Sequence, residues 1–177
     1  MRIIEGKWAG VSLSSPGRRV RPTPEELRGA LMEWLKDDLP GARILDLFAG
    51  TGALGLEALS RGAASVDFVE NGAEALHALK ANRAKLRVAK KTRLFKKEAF
   101  SFLEGIEHGG YDLVMADPPY TSSAAEKLAR LWLADSFSPI LTVEHARSVT
   151  LPKGGLRRVF EDSAITLYRT REKKDRG

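Results

Sequence analysis

The chain has 177 residues and a formal net charge of +6, with 43% hydrophobic and 29% charged residues. That length suits one domain able to bury a core without staples, and that balance excludes a disordered chain. The absence of cysteine excludes disulfides and thiolate metal sites, and with no long apolar run or signal-peptide core the expectation is a cytoplasmic protein without a membrane segment.

Ile3, Glu5 and Lys7 alternate, Gly10 follows, and Val11 and Leu13 resume the alternation, which predicts a hairpin over residues 2–14. A loop rich in Pro, Gly and Arg runs on to Thr23. Residues 1–23 are thus expected to form an extension within a single domain spanning 1–177. Thr23 or a neighbour should cap a helix with Pro24 in its first turn and Leu27, Ala30, Leu31, Trp34 and Leu35 on its apolar face, ended by Pro40-Gly41. From Arg43 onward, strands over 43–48, 65–70, 92–96 and 111–116 alternate with helices over 53–61, 72–86, 98–105 and 122–133. This alternation predicts a mostly parallel sheet covered by helices. Residues 140–144, 149–151 and 164–168 read as further strands, antiparallel at the carboxyl end.

Two strand ends carry chemistry. After the first strand comes Ala49-Gly50-Thr51-Gly52-Ala53-Leu54-Gly55, where small residues let a ligand approach backbone amides at the positive end of a helix. Phe48, Ala49, Gly50, Thr51 and Gly52 are therefore candidate cofactor-binding residues. The next strand ends in Glu70, whose carboxylate suits the two hydroxyls of a ribose, with Asn71 beside it as the expected helix cap. The glycine spacing also fits the dinucleotide pattern of nicotinamide enzymes. Asp46, just before the turn, favours a cationic ligand segment such as the sulfonium of S-adenosylmethionine over an anionic pyrophosphate. Glu98 and Ala99 stand where a doubly wound sheet meets the adenine of a bound cofactor, although a helix-terminal charge explains Glu98 equally well.

The strand over 111–116 delivers Asp117, Pro118, Pro119 and Tyr120. An exocyclic amino group on a nucleobase is a poor nucleophile whose hydrogens need acceptors while its ring is held flat. Asp117 and the Pro118 carbonyl can supply the acceptors, the two prolines a stiff shelf without N–H groups, and Tyr120 a stacking face. The plainer alternative is a strand end followed by a loop. His77, His108 and His145 show no ligand spacing, so no metal is expected.

The stretch from Lys80 to Lys97 holds Arg83, Lys85, Arg87, Lys90, Lys91, Arg93 and Lys96 without an acidic residue, which suits either a polyanion or a solvated face. A second basic cluster, Arg2, Lys7, Arg18, Arg19 and Arg21, lies in the opening segment. Trp8 sits within it, placed either to stack on RNA or to pack the hairpin on the sheet. Asn82 is a polar residue near a helix end.

The run from Asp46 to Ala63 together with Asp117-Pro118-Pro119-Tyr120 resembles the bacterial small-subunit (16S) ribosomal RNA guanine-N2 methyltransferases of the RsmD type. Arg2-Ile3-Ile4, Gly6-Lys7 and Arg21-Pro22-Thr23 are similar to the amino-terminal signature of that family. The resemblance implies a Rossmann-like class I methyltransferase fold with a seven-stranded sheet, S-adenosyl-L-methionine as cofactor, and 16S ribosomal RNA, free or in a partly assembled small subunit, as partner. It favours the opening cluster and Tyr120 as the RNA contacts. It also implies that Asp117, Pro118, Pro119 and Tyr120 are catalytic, with Asp117 close to the cofactor as well. An amino methyltransferase acting on DNA adenine or cytosine, and a non-catalytic nucleic-acid module of the same fold, remain alternatives. The compact, charge-rich chain is expected to be a monomer. All of this requires the fourth strand's tip and the hinge after the first to face one crevice.

Overall fold

The central apolar runs are too uniformly hydrophobic to face water on either side. In the computed structural model, which describes residues 1–15 and 25–170, they form the middle of a seven-stranded sheet. Strands β1 (Arg43–Leu47), β2 (Ser65–Val69), β3 (Thr92–Phe95), β4 (Leu113–Ala116) and β5 (Ile140–Ala146) are parallel, in the order β3-β2-β1-β4-β5. Strands β6 (Leu156–Val159) and β7 (Ser163–Arg169) complete it, with β7 antiparallel to β5 and β6 antiparallel to β7 at the edge. The α/β class, the mostly parallel sheet and its antiparallel end match the sequence reading.

Side-chain alternation along the strands sends residues to two cores. Ile44, Val66, Phe68, Leu113, Met115 and Ile140 pack with helices α1 (Glu25–Trp34), α2 (Ala53–Ser60) and α3 (Ala73–Lys85). Leu45, Leu47, Val114, Ala116, Leu141 and Val143 pack with α4 (Ala99–Leu103) and α5 (Ala124–Ala134).

Three expectations are corrected. Residues 149–151 form no strand: Val149 closes a turn by donating to Ala146 O at 2.9 Å, and Leu151 buries itself in the second core. The partner of β7 is instead the Arg-bearing edge strand β6, all four residues of which are exposed and which therefore lacks a buried-strand pattern. The opening hairpin is reduced to one bridge, Arg2 with Ser12, flanked by amide bonds from Ile3 to Val11 O and from Leu13 to Met1 O, both 2.9 Å. Helix α3 is capped at Gly72, not Asn71, and without a side-chain bond. The expected cap at Thr23 and Pro24 lies outside the described residues.

The opening segment earns its place by covering α2, whose eight residues are all buried. A helix so enclosed cannot leave a charge unpaired, and Glu57 on it collects three hydrogen-bond donors and one ion-pair partner. Its carboxylate accepts from the Ile4 amide at 2.8 Å, the Glu5 amide at 3.0 Å and Arg61 Nε at 3.0 Å, and it faces Arg28 Nε of α1 at 3.5 Å. Arg28 is itself fully buried and donates to Arg2 O. The end of α2 is clasped in the same way. The Lys7 amide donates to Ser60 O at 2.8 Å and the Trp8 amide to Ser60 Oγ at 3.0 Å, and a Cβ at Gly6 would sit 2.0 Å from Ser60 O. Glycine is thus required at position 6 by contact as well as by its φ of +88°.

Glu57→Ala strands a buried guanidinium and removes the acceptor of two amides. It should lower stability by about 3–5 kcal/mol, read as a reduced urea midpoint with an unchanged slope.

Candidate active site

In the strand order β3-β2-β1-β4-β5 the chain winds outward in both directions from β1 and β4, so the connections leave a crevice beyond their carboxyl ends. A cleft of about 950 Å³ opens there, within the range of small-molecule sites. The glycine turn after β1 and the Asp117-Pro118-Pro119-Tyr120 segment after β4 both line it, as the sequence reading required.

Sheet register decides which side chains stand in this cleft. Asp46 pairs with Phe68 on one side and Met115 on the other, and Met115 pairs with Thr142. Residues two further along share the same face. Glu70, Asp117 and Glu144 therefore project with Asp46 from four adjacent strands, and all four carboxylates line the cleft.

The turn itself is held by these acids. Phe48, Gly50 and Gly52 have φ of 57°, 55° and 78°, a left-handed run that turns the chain from strand to helix. Glu70 accepts from the Gly50 amide at 2.7 Å, the Asn71 amide at 3.0 Å and the Gly72 amide at 2.7 Å. Asp46 accepts from the Gly55 amide at 3.0 Å in the first turn of α2. A Cβ at Gly55 would lie 2.5 Å from Phe68 Cε1, so glycine there lets α2 settle on the sheet. Gly52 does not line the cleft; a Cβ on it would meet Leu79 at 2.3 Å.

Burial first, and then the neighbouring Asp117 and Glu70 charges, push the Asp46 carboxyl well above its ordinary range against the pull of the Gly55 amide. Tyr120 is half-buried and its hydroxyl donates to Glu144. Burial and that carboxylate push the phenol upward, which keeps it a neutral donor.

Among the predicted cofactor residues, Asp46, Phe48, Ala49, Gly50, Thr51, Glu70, Asn71 and Asp117 line the cleft, as do Pro118, Pro119 and Tyr120. Glu98 and Ala99 do not. Glu98 is exposed and caps α4, accepting from the Ser101 amide at 2.8 Å, while Ala99 is buried among the second core. The structure thus gives Glu98 the helix-capping role. Sequence reasoning overlooked Glu144, Glu74 and Met1, which also line the cleft. Glu144 stands inside β5, which runs on to Ala146, so its sequence neighbours do not mark it as Asp117 is marked after β4.

Asn82 is fully buried, with its amide nitrogen donating to Thr51 O and Ser14 O, both at 3.0 Å, and its oxygen accepting from the Ser14 amide at 2.7 Å. It therefore ties the opening segment to the glycine turn. Arg2 and Lys7 are exposed; Arg2 lies 3.4 Å from Glu25, and the Lys7 ammonium is 5.2 Å from the ring centre of Trp8. Trp8 is half-buried against the first core, so it packs the hairpin. Arg18, Arg19 and Arg21 lie outside the described residues. In the central basic block, Arg93 is paired with Asp67 and Arg83 with Thr92, whereas Lys80, Arg87, Lys90, Lys91, Lys96 and Lys97 are exposed. Among the described residues no group of His, Asp and Glu is arranged to hold a metal, and no helix is long and apolar enough to cross a membrane.

A family model described as conserved hypothetical protein 95 matches residues 1–163. Ribosomal RNA small subunit methyltransferase D of Escherichia coli strain K12 is 40% identical over 145 residues, covering 76% of this chain and 70% of that protein. A solved structure of a hypothetical protein from Thermus thermophilus aligns with a TM-score of 0.84 at 32% identity, over 96% of this chain and 99% of that one. An RNA methyltransferase from Salinibacter ruber, solved in complex with S-adenosyl-L-homocysteine, shares the fold with a TM-score of 0.66 at 16% identity, over 89% of this chain and 98% of that one.

The raised pKa of Asp46 has a sign. Ionised Asp46 is penalised in the fold but not in the unfolded chain, so its cost is absent below the unfolded value and grows as pH rises towards the folded one. Asp46→Asn, which keeps an acceptor for Gly55, should therefore raise the melting temperature of the ligand-free protein at pH 8 and leave it unchanged near pH 3. Thermal unfolding followed by circular dichroism at both pH values checks this.

Proposed function

This chain belongs to the family described as conserved hypothetical protein 95, which includes ribosomal RNA small subunit methyltransferase D, and from that premise we propose that it transfers the methyl group of S-adenosyl-L-methionine to the exocyclic N2 amino group of a guanine in 16S ribosomal RNA. The observation that carries this reading is the meeting of the glycine turn and the Asp117-Pro118-Pro119-Tyr120 segment in one cleft under four carboxylates.

The donor set fits the cofactor. Oε2 of Glu70 accepts one amide and has a second lone pair for a ribose hydroxyl. Phe48, Ala49, Gly50 and Thr51 of the left-handed turn line the cleft and leave room for the amino-acid end of the cofactor, and Asp46 and Asp117 offer negative charge to a sulfonium and an ammonium. When bound, the cofactor supplies a methyl group already activated by the positive sulfur. What remains for the chain is to place an amino nitrogen in line with it, exclude water and stabilise charge.

Asp117 and the Pro118 carbonyl accept the two N2 hydrogens, which aims the nitrogen lone pair out of its hydrogen-bonded plane. As that nitrogen becomes positive, the Asp117 carboxylate stabilises it. Tyr120, its hydroxyl anchored on Glu144, is a fixed plate on which an extruded base stacks. The turnover of a single nucleotide also needs a grip on the phosphates around it. Arg2 and Lys7, exposed on the opening segment, provide part of it, with Arg18, Arg19 and Arg21 in the same stretch of sequence. The protein works as a cytoplasmic monomer on ribosomal RNA, free or in a partly assembled small subunit.

Asp117→Ala should cut methylation by more than about 100-fold while S-adenosylmethionine affinity stays within about fivefold, measured by tritiated methyl transfer and by calorimetry. Near-normal turnover in that variant would refute the catalytic assignment. Glu70→Ala should instead weaken cofactor binding by about 10–100-fold, again read by calorimetry.

A further inference from the structure

Glu144 is a charged side chain, 5% exposed, on the wall of the cleft, and no step so far has used it beyond anchoring Tyr120. Its position relative to the amino-group shelf follows from register. Ala116 of β4 pairs with Val143 of β5, so one residue further Asp117 and Glu144 stand side by side on the same face, with backbones about 4.8 Å apart. One carboxylate just past the end of β4 and one inside the neighbouring β5 thus form an acceptor-only edge.

The Watson–Crick edges of the bases answer such an edge differently. Guanine presents two adjacent donors, the N2 amino group and N1–H. Adenine and cytosine present one amino donor next to a ring nitrogen that carries a lone pair. Placed with its amino group on Asp117 and Pro118, guanine turns a donor towards Glu144, whereas adenine or cytosine would turn a lone pair against a buried carboxylate.

We propose that Glu144 selects the base: its carboxylate accepts the N1–H of guanine while Asp117 and Pro118 hold the N2 amino group. This rests on the reading of the cleft as a guanine-N2 methyltransferase site, and it supplies a reason for that choice over adenine-N6 or cytosine-N4. The bond from Tyr120 to Glu144 fits the same role, because the stacking plate and the edge reader are then fixed to one another. Glu144 acts here as a specificity residue, and its removal alters which base is accepted more than how fast a methyl group moves.

The test uses 2-aminopurine, which keeps the 2-amino group of guanine but has a lone pair in place of N1–H and a hydrogen in place of O6, so the change of preference on substituting Glu144 is what reports on N1. The full-length protein is first used to map the guanine it methylates in 16S ribosomal RNA. That RNA is then rebuilt by splinted ligation with either guanosine or 2-aminopurine riboside at the mapped position, and methyl transfer to each is measured with S-adenosylmethionine. The parent protein should prefer guanine by about 100-fold or more. Glu144→Gln, whose amide can donate to a ring nitrogen, should narrow the preference to about tenfold or less. A parent protein that accepts both bases equally, or a Glu144→Gln variant that keeps the parent's ratio, overturns the assignment while leaving guanine-N2 transfer intact. Failure of the parent to form any N2-methylguanosine overturns the functional reading and this proposal with it. Should Glu144→Gln not fold, Glu144→Ala, which removes the carboxylate, is compared in the same way and should also narrow the preference; an unchanged ratio overturns the assignment.

Discussion

Parallel register is the constraint on which this protein depends. Strands β2, β1 and β4 end in register and β5 runs on beside them, and alternation along each sends a carboxylate to the same side: Glu70, Asp46, Asp117 and Glu144. A slip of one residue in any strand would carry its acid through the sheet into an apolar core. The continuous hydrophobic faces that prevent such a slip are therefore as much a part of the site as the acids are.

Gathering four acids is costly in a low-dielectric cleft, and the chain offsets this with fixed dipoles instead of cations. Glu70 is held by three backbone amides, Asp46 by the Gly55 amide, and Glu144 by the Tyr120 hydroxyl. Among the described residues no lysine or arginine lines the cleft. The basic character of the chain is displayed elsewhere, on the opening segment and the exposed part of the block between Lys80 and Lys97. An acidic interior with a basic exterior suits a positively charged cofactor inside and a phosphate backbone outside. The two ligands are thus sorted by sign before any specific contact is made.

Much of this was legible in the sequence because the signals are local. A strand, a small-residue turn and a helix are consecutive, as are a strand and Asp117-Pro118-Pro119-Tyr120, so neighbouring residues alone announce them. What could not be read depends on distant segments meeting. Glu144 becomes a site residue only through its register with β4, and Asn82 becomes buried only because Ser14 and Thr51 converge on it. Strand β6 was missed because an edge strand exposed along its length carries no apolar pattern, while buried Leu151 nearby imitated one. Glu98 stayed ambiguous for a related reason: a carboxylate at a strand-to-helix junction looks the same in sequence whether it serves a ligand or its own helix, and only the structure shows its bond to the Ser101 amide.

The Arg28–Glu57 contact restricts how this lineage can vary. A buried ion pair can ordinarily drift to a pair of well-packed apolar residues without loss. Here that exit is closed, because the same carboxylate terminates the amides of Ile4 and Glu5 and steadies Arg61. Exchanging both partners for hydrocarbons would silence the charges yet orphan the main chain that lies across them. Neither single nor paired replacement offers a neutral path, so position 57 is frozen by the backbone it serves, and position 28 is frozen by position 57.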